Sequence, residues 1–435
     1  MEYNNDPRVL VFNLLLKAQK SKQYSNIALD KALEASTLNE PDRRLAAALF
    51  YGVIERQITL DYRISMLSSR KLDSIDPQAL CAIRLGLYQL IYMEKIPPHA
   101  AINESVDLVS RKSSGFVNAV LRSHTRDPHF SFPSREQEPE KYLSVYYSVC
   151  SELCKKFIDV YGLERTESIF KAMQAHSVTT LRANTLKASR AELISHIDGA
   201  IPTVSAPHGL KISGSVRHTY GFDGGLFFVQ DEASQICVEA LDARPDMTVM
   251  DICSCPGSKS FGAAINMNNR GKLLAFDLHQ SKLSLVLDGA RRLGIDIIEV
   301  AMQDGRQPIE ALFGSADRVL CDVPCSGFGV LAKKPELRYK DPAESAALPD
   351  IQLKILENAC RYVKAGGCLV YSTCTVFPEE NEQNIRRFLE ANGDFVLTPF
   401  SVGEVTAESG YITLMPDTHS TDGFFIAKLT KRSDR

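Results

Sequence analysis

In the first third of the chain, apolar positions recur three and four residues apart. Leu45, Leu49 and Val53 form one stripe, Leu80, Ile83, Leu87 and Leu90 a second, and Ile102, Val106 and Val109 a third. This is the spacing of amphipathic helices. Asp76-Pro77 predicts a helix start, with aspartate as the cap and proline in the first turn. Pro97-Pro98 breaks the chain before the third stripe. Such helices bury their faces in a bundle, whose plainest use is docking or dimerisation. The predicted all-helical domain spans 1–126. From Asp127 to Lys141 the sequence "DPHFSFPSREQEPEK" holds three prolines and many charges, which predicts a linker. In 142–225, "TTLRANTLK" alternates imperfectly and "RAELISHI" has a helical period, which predicts a small α+β unit.

From residue 226 to 435 the pattern changes again. The short apolar runs "TVMDIC", "KLLAFD", "DIIEVA", "RVLCDV" and "GCLVYS" alternate with helical segments such as Ser281 to Leu293 and Pro349 to Val363. This predicts an α/β domain whose mostly parallel, doubly wound sheet is covered on both faces. Ligands of such sheets bind beyond the C-terminal strand ends.

Composition adds limits. The 435 residues, 44% apolar and 24% charged, are those of an ordinary globular protein. The apolar run Val9–Leu16 is too short to span a membrane and contains Asn13, so neither a membrane partner nor a signal peptide is expected. The eleven cysteines include no C-x-x-C. That predicts reduced thiols in a cytoplasmic protein, with no metal site. Net charge is only −3, but Lys and Arg outnumber Asp and Glu by 17 to 13 through Arg126, against 33 to 40 beyond it. A mildly basic N-terminal part is weak support for a polyanionic partner.

The strand ends carry the candidate chemistry. The first strand gives way to "DICSCPGSKS" (251–260), a glycine-bearing turn whose backbone N–H groups face a ligand or merely close a structural turn. It is neither G-x-G-x-x-G nor a Walker A loop. The second ends in Asp277, suited to a ribose diol or to an ordinary helix cap. The third is followed by Asp304, suited to an adenine amino group or to a local Asx turn. Together they fit an adenosine ligand lacking phosphates, and S-adenosylmethionine has that shape. The fourth ends in "CDVPCSGFG" (321–329), with Asp322 and Cys325, and the fifth in Cys374. One cysteine at a strand end is more often packing, but two at adjacent ends beside a carboxylate suggest a thiol site. Pyrimidine C5 is a poor nucleophile until a thiolate adds to C6. Then C5 attacks the sulfonium methyl, C5 loses its proton and the thiol departs. A base within a helix cannot enter such a site, so it must be flipped or unpaired.

These residues give the chain its resemblance to a family. "FVQDEASQ", "DICSCPGSKS", "CDVPCSGFGVLAKKPELRYK", "YSTCTVFPEENEQNI" and "TDGFFIAKL" resemble the RNA 5-methylcytosine methyltransferases, and most of all the RsmB-type enzymes of the small ribosomal subunit. "YSNIALDKAL", "LFYGVIERQITLD", "RLGLYQLIYMEKIPPHAAINESVDL" and "GFVNAVLRS" resemble the NusB-like N-terminal domain of those enzymes, and "LRANTLK" their small RNA-contacting unit. The resemblance implies a Rossmann-like methyltransferase domain acting on 16S ribosomal RNA, at a cytosine 967-type site; a monomer is expected, though the sequence does not fix the oligomeric state. It makes Cys374 the nucleophile, Cys325 the residue of product release, and Asp322 a contact to cytosine and cofactor. It gives Asp277 the ribose, Asp304 the adenine, and Cys253, Ser254, Cys255, Pro256, Gly257, Ser258 and Lys259 the cofactor loop. Lys333, Lys334, Arg338 and Lys340 are expected to face RNA phosphate, a solvated surface being the plain alternative.

Two departures stand out. The family's loop reads A-P-G-G-K-T, whereas Ser258 and Ser260 replace the second glycine and the threonine. A serine at 258 disfavours positive φ, which predicts either weaker cofactor binding or a backbone adjustment. "YSVCSELCKKF" lacks the family's proline and tryptophan. Two other readings remain: the same chemistry on transfer RNA, or an RNA-binding assembly protein that has lost catalysis.

Overall fold

A computed structural model of the chain describes residues 5–21, 26–174, 178–214 and 216–433. It forms two compact units. One runs to Phe170 and takes back Lys334–Asp341; the other comprises Lys171–Lys333 and the chain from Pro342 onward.

The first unit is helical: α1 (Pro7–Ser21), α2 (Asn26–Glu34), α3 (Glu40–Glu55), α4 (Gln57–Leu67), α5 (Pro77–Tyr92), α6 (Pro98–Asp107), α7 (Arg111–Arg126), α8 (Pro139–Tyr147) and α9 (Ser151–Tyr161). The first two stripes lie in α3 and α5. Ile102 and Val106 lie in α6, with Val109 just past its end. Asp76 caps α5 by accepting from Gln78 N and Ala79 N at 3.0 and 3.1 Å. The apolar face of α5 is central, packing against α1, α3, α4, α6 and α7.

The domain limits differ from expectation. The proline-rich stretch ends where α8 begins, and α8 and α9 belong to the helical unit. Thr59 Oγ1 donates to Val145 O at 2.6 Å, and Ile58 N to Ser148 Oγ at 2.9 Å. Phe157 packs edge-on against Phe170 with centroids 4.9 Å apart. The buried faces of these helices extend the bundle's core, so the compact unit runs on beyond residue 126 to Phe170.

Arg338 requires a second correction. It was expected to face RNA, but it is only 1% exposed. Its guanidinium donates to Tyr147 O at 3.0 Å and lies 3.7 Å from Glu55. Its carbonyl accepts from Cys150 N at 2.8 Å. The neighbouring Tyr339 hydroxyl bonds Ser148 Oγ at 3.1 Å and also the Ile54 carbonyl. A short 3₁₀ turn, Pro335–Tyr339, points Pro335 and Arg338 inward. Basic composition alone does not show that inward turn.

In the second unit, which α10 (Leu163–Gln174) enters at its C-terminal end, β1 (Thr179–Ala183), β2 (Ile201–Pro202), β3 (Gly209–Ile212) and β4 (Phe227–Val229) form an antiparallel sheet in the order β2-β3-β1-β4. It is joined by α11 (Arg190–His196), whose start is a capping box of Ser189 and Glu192. After α12 (Glu232–Leu241) come β5 (Thr248–Asp251), α13 (Ser258–Asn266), β6 (Lys272–Asp277), α14 (Gln280–Leu293), β7 (Ile298–Met302), β8 (Ala316–Asp322), α15 (Leu348–Ala359), β9 (Val363–Thr373), α16 (Glu382–Ala391) and β10 (Phe395–Leu397). A hairpin of β11 (Phe400–Val402) and β12 (Val405–Ala407) precedes β13 (Tyr411–Leu414) and β14 (Phe424–Lys431). The large sheet has the order β10-β14-β9-β8-β5-β6-β7, with β13 on β14. Strands β5 to β9 pair in parallel, and β14 enters antiparallel. All five predicted strands are present. Leu241, Val286 and Leu293 cover one face, and Ile355, Leu356 and Phe388 the other. The strand order reverses between β5 and β8, the switch point where such sheets open a ligand crevice.

Arg338→Ala leaves the Tyr147 carbonyl and Glu55 without this partner. It is expected to destabilise the protein by about 2–3 kcal/mol, read as a fall in unfolding temperature. The salt dependence of RNA binding should not change, because no phosphate contact is lost.

Candidate active site

The parallel register of β8 and β9 sets Cys321 beside Tyr371 and Asp322 beside Ser372. Both strands then turn into loops bearing the two candidate thiols, and these meet. Cys325 Sγ and Cys374 Sγ are 3.1 Å apart, and Cys374 N donates to Cys325 Sγ at 3.2 Å. The hydrogen bond to Cys374, then burial, pushes the Cys325 thiol well above the ordinary range. The two sulfurs share one hydrogen bond, in which either can be the donor.

A buried carboxylate fixes the two loops. Glu380 Oε2 accepts from Ser326 N at 3.0 Å and from Gln352 Nε2 at 2.8 Å, while Tyr371 OH donates to its carbonyl at 2.7 Å. Ser326 Oγ donates to Thr375 Oγ1 at 2.9 Å, and Thr373 Oγ1 to Asn381 Oδ1 at 2.6 Å. The same Gln352 amide reaches Pro324 O at 3.0 Å. The "PEEN" turn after Cys374 is thus a brace. Its charge and position next to the cysteine motif were visible in sequence, but its partners, 28 and 54 residues away, were not.

Asp322 joins this edge to the cofactor loop. Its Oδ1 accepts from Ser372 Oγ at 2.7 Å and its Oδ2 from Lys259 Nζ at 2.7 Å. Burial opposes the Lys259 charge, but the Asp322 carboxylate more than offsets this and raises its pKa. The ammonium also lies 5.1 Å from the Phe424 ring centroid. Lys259, expected only to hold cofactor, is therefore placed as the ionic partner of Asp322.

The loop expected to hold cofactor follows Asp251. Ser254 N donates to Phe276 O at 2.8 Å, and Gly257 N to Ser254 O at 2.7 Å. Gly257 supplies the left-handed step at φ 107°, and Ser258 opens α13 with no positive φ. The Ser258 departure is therefore accommodated, because the one residue that must be glycine here is Gly257. Ser260 Oγ donates to the buried Asp251 Oδ2 at 2.6 Å. Cys253 packs against the core, where burial drives its thiol well up.

At the next strand ends, Asp277 Oδ1 accepts from His279 N at 2.9 Å, and Oδ2 lies 3.4 Å from Cys255 N. Asp304 forms the Asx turn, accepting from Arg306 N at 3.0 Å, and Arg306 Nη2 pairs with it at 2.6 Å. That hydrogen bond holds the Asp304 carboxyl below its usual range. Residues that strand-end reasoning missed stand beside them. Leu278 and Met302 are 51% and 59% exposed at the C-terminal ends of neighbouring strands. Two bare apolar side chains flanking a carboxylate fit the flat ring and ribose of an adenosine.

Lys333 Nζ is bound by Asp231 Oδ1 at 2.6 Å and Asp422 Oδ2 at 2.7 Å. This engagement by two carboxylates argues against its expected phosphate role. Lys334 is exposed and Lys340 half-buried.

A Rossmann-like sheet whose C-terminal strand ends carry carboxylates and a pair of adjoining thiols has the make-up of a methyltransferase. Residues 238–430 match the family model described as 16S rRNA methyltransferase RsmB/F, and residues 5–126 match the NusB family. The chain is 36% identical to the probable ribosomal RNA small subunit methyltransferase B of Bacillus subtilis, over 98% of both chains. It is also 36% identical to the Synechocystis protein of the same name, over 98% of this chain and 99% of the other. Among solved structures, PH0851 superposes with a TM-score of 0.81 at 28% identity, covering 98% of this chain and 99% of that one. A methyltransferase homolog from Pyrococcus horikoshii gives 0.58 at 29% identity, over 69% and 100%. The chain belongs to the RsmB/F methyltransferase family, and S-adenosylmethionine is its cofactor. Among the described residues no helix is long and apolar enough to cross a membrane.

Glu380→Gln should lower the turnover of methyl transfer about ten- to a hundredfold by misplacing the thiol loops, with the cofactor dissociation constant unchanged by calorimetry. Burial pushes Asp251 up to about 7, against the pull of Ser260. Between 3.8 and about 7 the folded chain keeps a proton that the unfolded chain has lost. Stability should therefore be highest on the acid side of this window and fall as pH rises through it. Asp251→Asn should flatten that fall, measured as urea midpoints from about pH 4 to pH 8.

Proposed function

We propose that this protein methylates C5 of a cytosine in the small-subunit (16S) ribosomal RNA through a transient bond between Cys374 and C6 of a flipped or unpaired base. The observation that carries this reading is the 3.1 Å contact between the Cys325 and Cys374 sulfurs at adjacent strand ends. Such closeness is costly to arrange for packing alone, and it suits a pair in which one thiol attacks and the other holds a proton.

The cofactor, when bound, supplies an electrophilic methyl group. Residues of the loop 253–259, Leu278, Met302, Asp277 and Asp304 would hold it. Cys374, as thiolate, adds to C6 and makes C5 nucleophilic. The Lys259–Asp322 pair offers hydrogen bonds to the N3 and O2 edge, where charge develops during addition. After transfer, the C5 proton must leave before the C6–sulfur bond breaks. Cys325, next to that sulfur, is the group suited to assist release. The names of the relatives and the NusB-like helices favour ribosomal over transfer RNA. The reading as an assembly protein without catalysis loses its motive, since Ser258 fits its helix start without strain.

RNA containing 5-fluorocytosine blocks loss of the C5 proton and traps the adduct. Wild type should form a denaturation-resistant complex. Cys374→Ala should form none and methylate nothing while still binding RNA. Cys325→Ala should accumulate adduct on ordinary RNA. Equal loss of activity in both variants, with no difference in adduct, would refute the assigned roles.

A further inference from the structure

The sheet-bearing unit contains a cleft of about 270 Å³ that the reaction above does not use. Its lining combines the apolar Met173 and Val178 with Thr180, Asp231, Lys333 and Asp422. Gly329 lies at its boundary with the thiol site: its N–H donates to Cys374 O at 3.0 Å, and its carbonyl accepts from Gly423 N at 2.8 Å. Asp422 directly precedes Gly423, and Phe424 beyond it carries the Lys259 ammonium. The two backbones touch closely enough that a Cβ on Gly329 would meet Gly423 O at 2.0 Å. The cleft and the reacting edge therefore share one wall, a single backbone layer thick.

Charge decides what kind of group the cleft accepts. Lys333 is shared by two carboxylates at 2.6 and 2.7 Å, and Lys211 is bound to Glu232 at 3.1 Å. Among the described residues no cation there is left over for a phosphate, which two acidic side chains would repel. Besides hydroxyls such as that of Thr180, the polar lining offers carboxylate oxygen, an acceptor for N–H donors. Val178, in the same lining, is 45% exposed, a bare apolar surface suited to the face of a flat ring. Asp422 is nearly buried, and burial with Asp231 nearby pushes its carboxyl up to about 6. Lys333 thereby acts as a positioning residue that holds both acceptors in place.

We propose that this cleft is a base-reading subsite for the unpaired nucleotide next to the target cytosine on the RNA strand. The ring lies against Val178 with its amino edge toward Asp422 and Asp231. The inference rests on RNA being the substrate, and it assigns the cleft to a base rather than to the sugar-phosphate backbone. Adenine, guanine and cytosine each present an exocyclic amino group, whereas uracil does not, so uracil should be disfavoured.

The test uses the full-length Cys374→Ala protein, so that binding is read without chemistry, and short RNAs carrying an unpaired target cytosine. An abasic residue is placed on the 5′ or the 3′ side. Removal of the base on one side only should weaken binding about tenfold, and uracil there should bind more weakly than adenine. Adding Asp422→Asn, or separately the exposed Val178→Asp, should remove most of that difference, while the salt dependence of binding stays the same. Val178→Asp guards against a folding defect at the more buried Asp422. Equal affinity for intact and abasic RNAs on both sides would overturn the proposal, as would discrimination that survives both substitutions. A salt dependence that changes with Asp422→Asn would point to backbone contact and overturn it too. The 5-fluorocytosine adduct is scored separately on wild type. Flank discrimination without an adduct would strike the methyl-transfer reading and leave the cleft standing.

Discussion

The parallel register between β8 and β9 fixes the reacting edge. A pairing that sets Asp322 beside Ser372 allows their side chains to bond at 2.7 Å, and it brings the two cysteine loops out of the sheet at one height. A slip of one residue would turn every following side chain to the opposite face, and the sulfurs would point into separate cores. Burial enforces the register, because Val319, Cys321, Leu369 and Tyr371 all pack into the same hydrophobic cluster. Hydrophobic packing in the sheet thereby sets the geometry of a polar site several residues beyond it.

Polar groups maintain that geometry where the strands end. Ser326, Gln352, Glu380 and Asn381 are buried and hydrogen-bonded to one another's loops. A satisfied network of this kind costs little to bury and rigidifies what it joins. Asp251 contrasts with it: among the described residues one of its oxygens has a donor in Ser260, while the other has no well-formed hydrogen bond. The strain of burial appears there as an affinity for a proton. The same sheet edge therefore holds one carboxylate matched to its surroundings and one that is not.

Much of this was legible in the chain. Runs such as "KLLAFD" and "RVLCDV" are long enough, and bounded sharply enough, that burial on both faces is the simplest way to satisfy them. The carboxylates and cysteines that end them then fall at the crevice by topology alone. What could not be read depends on distant partners. "AKKPELRYK" looks like a basic surface, yet Arg338 turns inward because Tyr147 and Glu55 await it nearly two hundred and three hundred residues earlier. Lys333 meets carboxylates from two remote segments, Asp231 and Asp422. Leu278 and Met302 are ordinary apolar residues in sequence, and only their exposure at strand ends marks them. The helical boundary shifted for a similar reason, since the partners of α8 lie in α4.

The loan of 334–341 to the helical unit has a consequence for biosynthesis. The ribosome delivers the chain in order, so the bundle must wait for most of the protein to emerge before Arg338 and Tyr339 can seat themselves. Until then the carbonyls of Ile54 and Tyr147 lack these donors. An excised N-terminal fragment would stay in that unfinished condition permanently. Contacts so far apart along the chain are slow to form, so this bundle, although it is the first part to be made, is completed only after the chain has passed residue 341.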